Sequence, residues 1–177
     1  MDFYLQRASN AIERETSAMS AGQLAWHRDA KWSTAQILEH LSLAFSSTSK
    51  AMERAVQQGG ANARPPTLRE WLVTLIVVKI GYFPTGRQAP EWTRPRGLDP
   101  AKAVETIRAS LAEMDLKITE TQGKLGSGIV AVHPIIGPLT ANQWRKFHWE
   151  HTRHHMKQVR ALRTAIRREQ AANDSRQ

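Results

Sequence analysis

The chain has 177 residues, 41% of them hydrophobic and 23% charged, which fits one globular domain with a core of its own. It contains no cysteine. Disulfides and thiolate ligands are therefore excluded, and any metal ion must be held by nitrogen or oxygen atoms. The net charge of +9 makes an anionic partner one function class to weigh.

Helical periodicity and local start signals predict the first two helices. The first is expected to run from Asp2 to Ser20. The residues there lack the basic and apolar regions of a signal peptide, so we expect a cytoplasmic location. The second helix begins at Ser33, where Ser33 and Gln36 form a capping box, and it ends near the Gly59–Gly60 pair.

A short apolar helix is predicted next. Thr67 and Glu70 form a second capping box, which the apolar stretch from Trp71 to Phe83 follows. At thirteen residues, interrupted by Lys79, this stretch is shorter than the roughly 20 residues that span a bilayer. We predict a buried helix and no membrane partner, with a contact at a membrane surface as the alternative. A loop from Pro84 to Leu98 follows.

Two long helices complete the predicted fold. The third begins at Asp99-Pro100, an N-cap residue with proline in the first turn, and its buried stripe holds Val104, Ile107, Leu111, Met114 and Ile118. A loop from Gly123 to Leu139 leads to a capping box at Thr140 to Gln143, and the last helix reaches Gln170. The fold class is all-α: a four-helix bundle with a long crossover and one extra short apolar helix between the second and third long helices. Residues 1–170 form this single domain, and residues 171–177 form a frayed tail.

The chain from Trp144 to its end carries most of the net positive charge. From Trp144 onward there are nine Lys or Arg residues and three acidic ones. Several cations, including Arg145, Lys157, Arg160 and Arg163, fall outside the apolar stripe, and no aromatic residues interleave the basic end for stacking on bases. The pattern favours a solvated helix face over a specific nucleic-acid site.

Histidines are predicted to face the core from two helices. The inward stripe of the last helix holds His148, His151 and His155, so the latter two lie one turn apart on one face. His154 points about 100° away, and His40 lies on the inward stripe of the second helix. Burying several imidazoles without partners is costly, and one shared cation satisfies them together. The pattern therefore predicts a metal site, with His148 as a competing ligand.

These motifs resemble the DinB superfamily of metal-binding four-helix bundles, which has one histidine early in the second helix and an H-x-x-H-H run in the last. Here the run is His151-Thr152-Arg153-His154-His155. The resemblance implies His40, His151 and His155 as ligands of one divalent metal ion, for which zinc, nickel and iron all suit imidazole. It is nearest to a branch catalogued only as a domain of unknown function, through stretches like those from Phe83 to Pro90 and from His133 to Leu139.

Residues near these ligands have several expected roles. Glu39 is expected to face away from the site, with a helix-edge position that accepts a ligand's hydrogen bond as the alternative. Gln158 and Glu150 flank the ligand pair. Arg87 and His133 are expected in loops that close over the bundle end, and His133 joins His148 as an undecided ligand.

Two functions remain open. In the first, the protein is a metal-dependent enzyme, a thiol-dependent transferase or a hydrolase acting on a small molecule; relatives in the DinB superfamily that use low-molecular-weight thiols suggest such a thiol as substrate. In the second, it is a non-catalytic metal-binding bundle that acts by binding or in a stress response. A pocket open beside the metal favours the first, and a sealed site with a fourth protein ligand favours the second. The sequence does not decide whether a homodimer forms.

Overall fold

A computed structural model describes residues 1–60, 64–83 and 88–175, most of which are helical. The α-helices in these ranges are α1 Phe3–Thr16, α2 Ala21–Ala25, α3 Thr34–Gln57, α4 Leu68–Thr74, α5 Pro100–Leu125 and α6 Ala141–Asp174. A π-helical segment, Leu75–Ile80, continues α4, and a 3-10 turn covers Glu91–Thr93. Strands β1 Ile129–His133 and β2 Gly137–Thr140 form an antiparallel pair.

The predicted helix starts are confirmed by their capping bonds. The side chains of Ser33, Thr67 and Thr140 each accept a hydrogen bond from the backbone N–H three residues on, and the Gln or Glu there accepts one in return from the backbone of the cap. Asp99 caps α5 ahead of Pro100. These bonds satisfy N–H groups that a helix leaves unpaired at its start, so local sequence decides where each helix begins.

The predicted helix ends are less accurate. The first helix ends at Thr16 and not at Ser20, because Ser20 and Gln23 form a further capping box that starts the short helix α2. At the other end of the chain, α6 extends to Asp174 beyond the predicted end at Gln170. Helix ends lack the strong local signals of helix starts and fray readily.

The loop predicted from Gly123 to Leu139 is wrong. α5 continues to Leu125, and a β-hairpin follows, so the protein is a helical bundle with a small two-stranded sheet. Ile129, Val130 and Val132 are β-branched residues of the kind that favours strands. Gly137 has a φ of 100° and pairs with His133 where the hairpin turns. Two strands this short leave little periodic signal in a sequence with long helical stripes.

The core lies between the long helices, with α3 packed mainly on α5 and α1 on α6. The predicted stripe on α5 is confirmed, because Ile107, Leu111, Met114 and Ile118 are buried and Val104 is half-buried. The stripe joins a cluster of buried side chains on α3 and α6 that includes Leu38, Leu41, Phe45, Trp144 and Val159. This packing holds α3 and α6, the two helices that carry the predicted histidines, in one core.

The short apolar helix is only partly buried, contrary to the prediction. Trp71 is 53% and Ile80 is 64% exposed, whereas Val73 and Val77 pack against the core. The segment contacts α6 and the hairpin, and it covers one side of the bundle rather than entering the core. Within the ranges described above, no helix has both the length and the apolar character needed to cross a membrane.

Candidate metal centre

Two helices bring the three predicted histidines together. α3 contributes His40, and α6 contributes His151 and His155 one turn apart. Nε2 of His151 is 3.3 Å from Nε2 of His40 and 3.1 Å from Nε2 of His155. One ligand atom from each ring lies within 4.8 Å of the others, and all three rings are buried or half-buried. These three residues are called the histidine centre below.

Hydrogen bonds on the outer nitrogens determine the tautomer of two rings. Nδ1 of His40 lies 2.8 Å from the backbone carbonyl oxygen of Thr93, and Nδ1 of His155 lies 2.9 Å from Oε1 of Gln158. Because carbonyl oxygens only accept hydrogen bonds, both Nδ1 atoms carry the proton. Each neutral ring then presents the lone pair of Nε2 to the centre.

The ring of His151 has no such outer partner, because its Nδ1 atom is buried without a hydrogen bond. A proton on its Nε2 can be donated to only one of the two facing lone pairs. If the proton is on Nδ1 instead, it has no acceptor, and the lone pairs of all three Nε2 atoms point at one another. Either tautomer leaves a buried polar group unsatisfied, which is costly. A single cation between the Nε2 atoms relieves the conflict between the lone pairs.

Two of the three ligand separations suit a small divalent ion. Zn–N bonds of about 2.0–2.1 Å in tetrahedral geometry place two ligand nitrogens about 3.3–3.4 Å apart. The two Nε2 separations at His151 are 3.3 and 3.1 Å. Imidazole donors accept zinc, nickel and iron, so the residues present fit the predicted cofactor without selecting one metal.

Burial and neighbouring imidazoles keep the rings of the centre neutral. Burial lowers the pKa of His40, and burial together with His40 lowers the pKa of His155 to about 3. The pKa of His151 is lowered well below its usual range by burial and then by the rings of His155 and His40. A neutral imidazole is the form that binds metal, so near neutral pH no proton has to leave first.

Glu39 is buried, and its carboxylate holds a loop and not a ring of the histidine centre. Its carboxylate accepts hydrogen bonds of 2.8, 3.0 and 3.0 Å from the backbone N–H groups of residues 96–98. His40, the next residue of α3, bonds the carbonyl of Thr93 in the same loop. Two consecutive helix residues thus fix the loop whose carbonyl orients His40.

The two undecided histidines lie outside the centre. His148, one turn before His151, shares a hydrogen bond of 2.9 Å with the hydroxyl of Thr48. His133 accepts hydrogen bonds of 3.1 and 3.2 Å at Nδ1 from the backbone N–H groups of residues 135 and 136, and so stabilises the hairpin turn. Burial lowers the pKa of His133 to about 4 and that of His148 to about 3. Both are neutral rings with structural partners.

The other flanking residues are arranged around Gln158. Besides bonding His155, Gln158 contacts His154, with their Nε2 atoms 3.2 Å apart. His154 is half-buried and is not a member of the histidine centre. Glu150 pairs with Arg153 at 2.6 Å. Arg87, which was expected in a closing loop, lies outside the described residues.

Aromatic rings flank the centre on two sides. The ring of Trp32 lies 5.1 Å from that of His40, and Phe83 stacks on His151 with the centroids 5.5 Å apart. The roles of Phe83 and Thr93 escaped the sequence analysis. Both residues come from connecting segments, whose course over the bundle no periodic pattern predicts.

The centre forms part of the wall of a groove of about 1970 Å³. His40, His151 and His155 line this groove together with Trp32 and Phe83. A groove of this size has room for a small molecule beside the histidine rings. The arrangement thus matches the open pocket that distinguishes the first functional hypothesis from a sealed site.

A family model described as protein of unknown function, DUF1569, matches residues 4–161. The matched range contains all three members of the histidine centre, the residues that orient them and the hairpin. No curated protein matches the chain, and no solved structure matches it either.

Proposed function

The chain belongs to this family of proteins of unknown function, so its activity has to be inferred from the site, and we propose that it is a metal-dependent enzyme acting on a small molecule. His40, His151 and His155 hold one divalent ion. The observation that carries the proposal is that their three Nε2 atoms converge at the wall of an open groove. In His40 and His155 the hydrogen bond at Nδ1 leaves a lone pair on Nε2. Membership of the DinB superfamily is part of the proposal, supported by the helical bundle and the H-x-x-H-H run.

Each residue around the centre has a task in this proposal. The carbonyl of Thr93 and the amide of Gln158 orient two rings through their Nδ1–H groups. Phe83 and Trp32 place apolar surface beside the centre and reduce the access of water. Three protein ligands leave coordination positions for a substrate, and a divalent ion bound there supplies a Lewis acid that favours the deprotonated form of a nucleophile.

The reaction class is a thiol-dependent transfer or a hydrolysis. The nucleophile is a thiol in the transfer and water in the hydrolysis, and both are weak nucleophiles while they are protonated at neutral pH. A low-molecular-weight thiol is a substrate that the groove has room for. The groove beside the centre favours this enzyme over a non-catalytic metal-binding bundle, and specific nucleic-acid binding is not part of the proposal.

Metal analysis followed by an activity screen tests the proposal. Protein purified without a nickel column should contain about one divalent ion per chain, as the single three-nitrogen site requires. The metal-loaded protein should then accelerate the reaction of thiols with small electrophiles, or the hydrolysis of activated esters and amides, and His151→Ala should abolish that acceleration. Protein that takes up no zinc, nickel or ferrous ion at saturating concentration would contradict the metal site. Metal uptake without acceleration of any of these reactions would favour the non-catalytic bundle.

A further inference from the structure

The groove beside the histidine centre is lined by cations. Five of them are called the cationic rim below: Lys31, Lys50, Arg54, Arg94 and Arg96. Arg28 also lines the groove, but it is already paired with Asp29 at 3.7 Å. No Asp or Glu side chain is among the described residues that line the groove. The charged side chains of the described lining are therefore all positive.

The rim cations lack the carboxylate partners that other cations of this protein have. Elsewhere in the protein, Arg14, Arg160 and Arg163 share Glu15, and Lys117 pairs with Glu53. Within the ranges that the structure covers, none of the five rim cations forms an ion pair with a carboxylate. Positive charges of one sign along a concave apolar wall raise the local concentration of anions.

The remaining wall is apolar and partly open to solvent. Trp92 is 53% and Ile76 is 40% exposed, and both line the groove with Val73 and Val77. Trp32 and Phe83 continue this surface to the histidine rings. Apolar surface of this kind gains free energy when an organic body covers it, so the groove combines an apolar wall beside the centre with positive charge at its edge.

We infer that the groove binds an organic anion, with its apolar body on the wall beside the histidine centre and its carboxylate or phosphate group on the cationic rim. The inference rests on the proposed function, because it names the substrate class of the same site. Arg94 and Arg96 lie in the loop that also orients His40 through Thr93. The anionic group is therefore held by the same loop that positions one metal ligand.

Matched naphthalene probes test the charge preference. Naphthoate and naphthyl phosphate present a carboxylate and a phosphate on one apolar body, naphthalenemethanol is the neutral counterpart, and naphthylmethylammonium is the cation. Calorimetric titration of the full chain should give affinities for both anions about tenfold or more above that of the alcohol, and weaker binding of the cation. The advantage should shrink as salt screens the exposed rim. Equal affinity for the alcohol and the anions would overturn the inference.

Two double variants and one control assign the preference to the rim. Lys50→Gln with Arg54→Gln alters only helix α3, and Arg94→Gln with Arg96→Gln alters the loop. The control, Lys102→Gln with Arg167→Gln, removes the same charge from exposed positions that do not line the groove. Each rim variant should weaken anion binding about three- to tenfold, because exposed charge contacts are individually modest, and the control should not. Equal losses in the control, or no loss in either rim variant, would overturn the inference.

The same titrations on metal-free protein separate this inference from the metal site. A bound metal ion attracts carboxylates by itself, so the preference must persist after chelation, and in His151→Ala, if the rim causes it. Absence of metal binding with an intact anion preference would sink only the proposed metal site. Metal binding without an anion preference would sink only this inference. Competition by a short single-stranded oligonucleotide more strongly than by naphthyl phosphate would also overturn it, because the groove would then be a nucleic-acid channel.

Discussion

Two buried polar clusters join α6 to other helices of the bundle, and they differ in whether the chain supplies the positive charge. In the first, Glu15 of α1 is 4% exposed and accepts hydrogen bonds of 2.6, 3.0 and 3.2 Å from Arg160, Arg163 and Arg14. In the second, the histidine centre joins α3 and α6 with nitrogen lone pairs directed at one another.

The pKa shifts in the two clusters have opposite origins. Burial raises the pKa of Glu15, but the hydrogen bonds and charges of the surrounding arginines outweigh burial, and the pKa is lowered. In the histidine centre, burial and neighbouring rings both lower the pKa, and neither supplies a cation. The arginine cluster is therefore complete within the chain, whereas the proposed function requires a cation from outside to complete the histidine centre.

Removing a ring from the histidine centre should have the largest effect. Loss of a group that merely orients a ligand typically costs 10–100-fold in metal affinity, so His151→Ala should cost more than about 100-fold. His154→Ala is the matched control on the same helix turn, because its ring lies outside the group of three. Affinities come from competition with a chelator of known strength. Equal loss in both variants would show that the helix face has been assigned wrongly.

Metal should stabilise the folded chain, since it binds the native arrangement of α3 and α6. At a free metal concentration 100 times Kd, the free energy of unfolding should rise by about 2.7 kcal/mol, which for a domain of this size raises Tm by roughly 5–10 °C. Chelation should reverse the shift and leave the helical circular dichroism intact, because the apolar core does not depend on metal. A chelated protein without helical signal would contradict this.

Glu15→Ala should destabilise the protein by about 2 kcal/mol whether or not metal is present, because it removes the buried member of a cluster whose arginines can hydrate again. Glu13→Ala offers a control: Glu13 pairs with Arg108 at 2.6 Å on the surface, and both side chains are more than half exposed. That variant should cost less than about 1 kcal/mol. Chemical denaturation measures both. If Glu15→Ala lowered the free energy of unfolding only in metal-free protein, the two clusters would be coupled and would not be independent of each other.

Acid should destabilise the metal-free protein through His148, and this is the smallest effect expected. Its pKa is lowered to about 3 in the folded state, below the value of about 6.5 in the unfolded chain. The contribution of the neutral His148 ring to the free energy of unfolding is therefore fully present above pH 6.5 and is lost as the pH falls toward 3. At pH 5.5 the loss from this one ring is about 1.4 kcal/mol. His148→Gln, which can still bond Thr48, should flatten the pH dependence of the free energy of unfolding, and overlapping curves would contradict the assignment.

Much of the fold and part of the site could be predicted because they depend on short-range rules. The capping boxes at Ser33, Thr67 and Thr140 need only side chains three residues apart, and the stripe of α5 needs only the helical period. The same period brought His151 and His155 onto one face. Metal binding by these residues stays a prediction until it is measured.

Contacts between segments distant in sequence were decided by tertiary structure alone. The three N–H groups that bond the carboxylate of Glu39 belong to residues 96–98, which lie far from Glu39 in the sequence. Likewise, no periodicity brings the carbonyl of Thr93 to His40 or the ring of Phe83 onto His151. Capping and periodicity act over a few residues, so they predict where the long helices begin and which face of α5 is buried. The course of the connecting segments depends on long-range packing, which decided how the histidine rings are oriented and what lines the groove beside them.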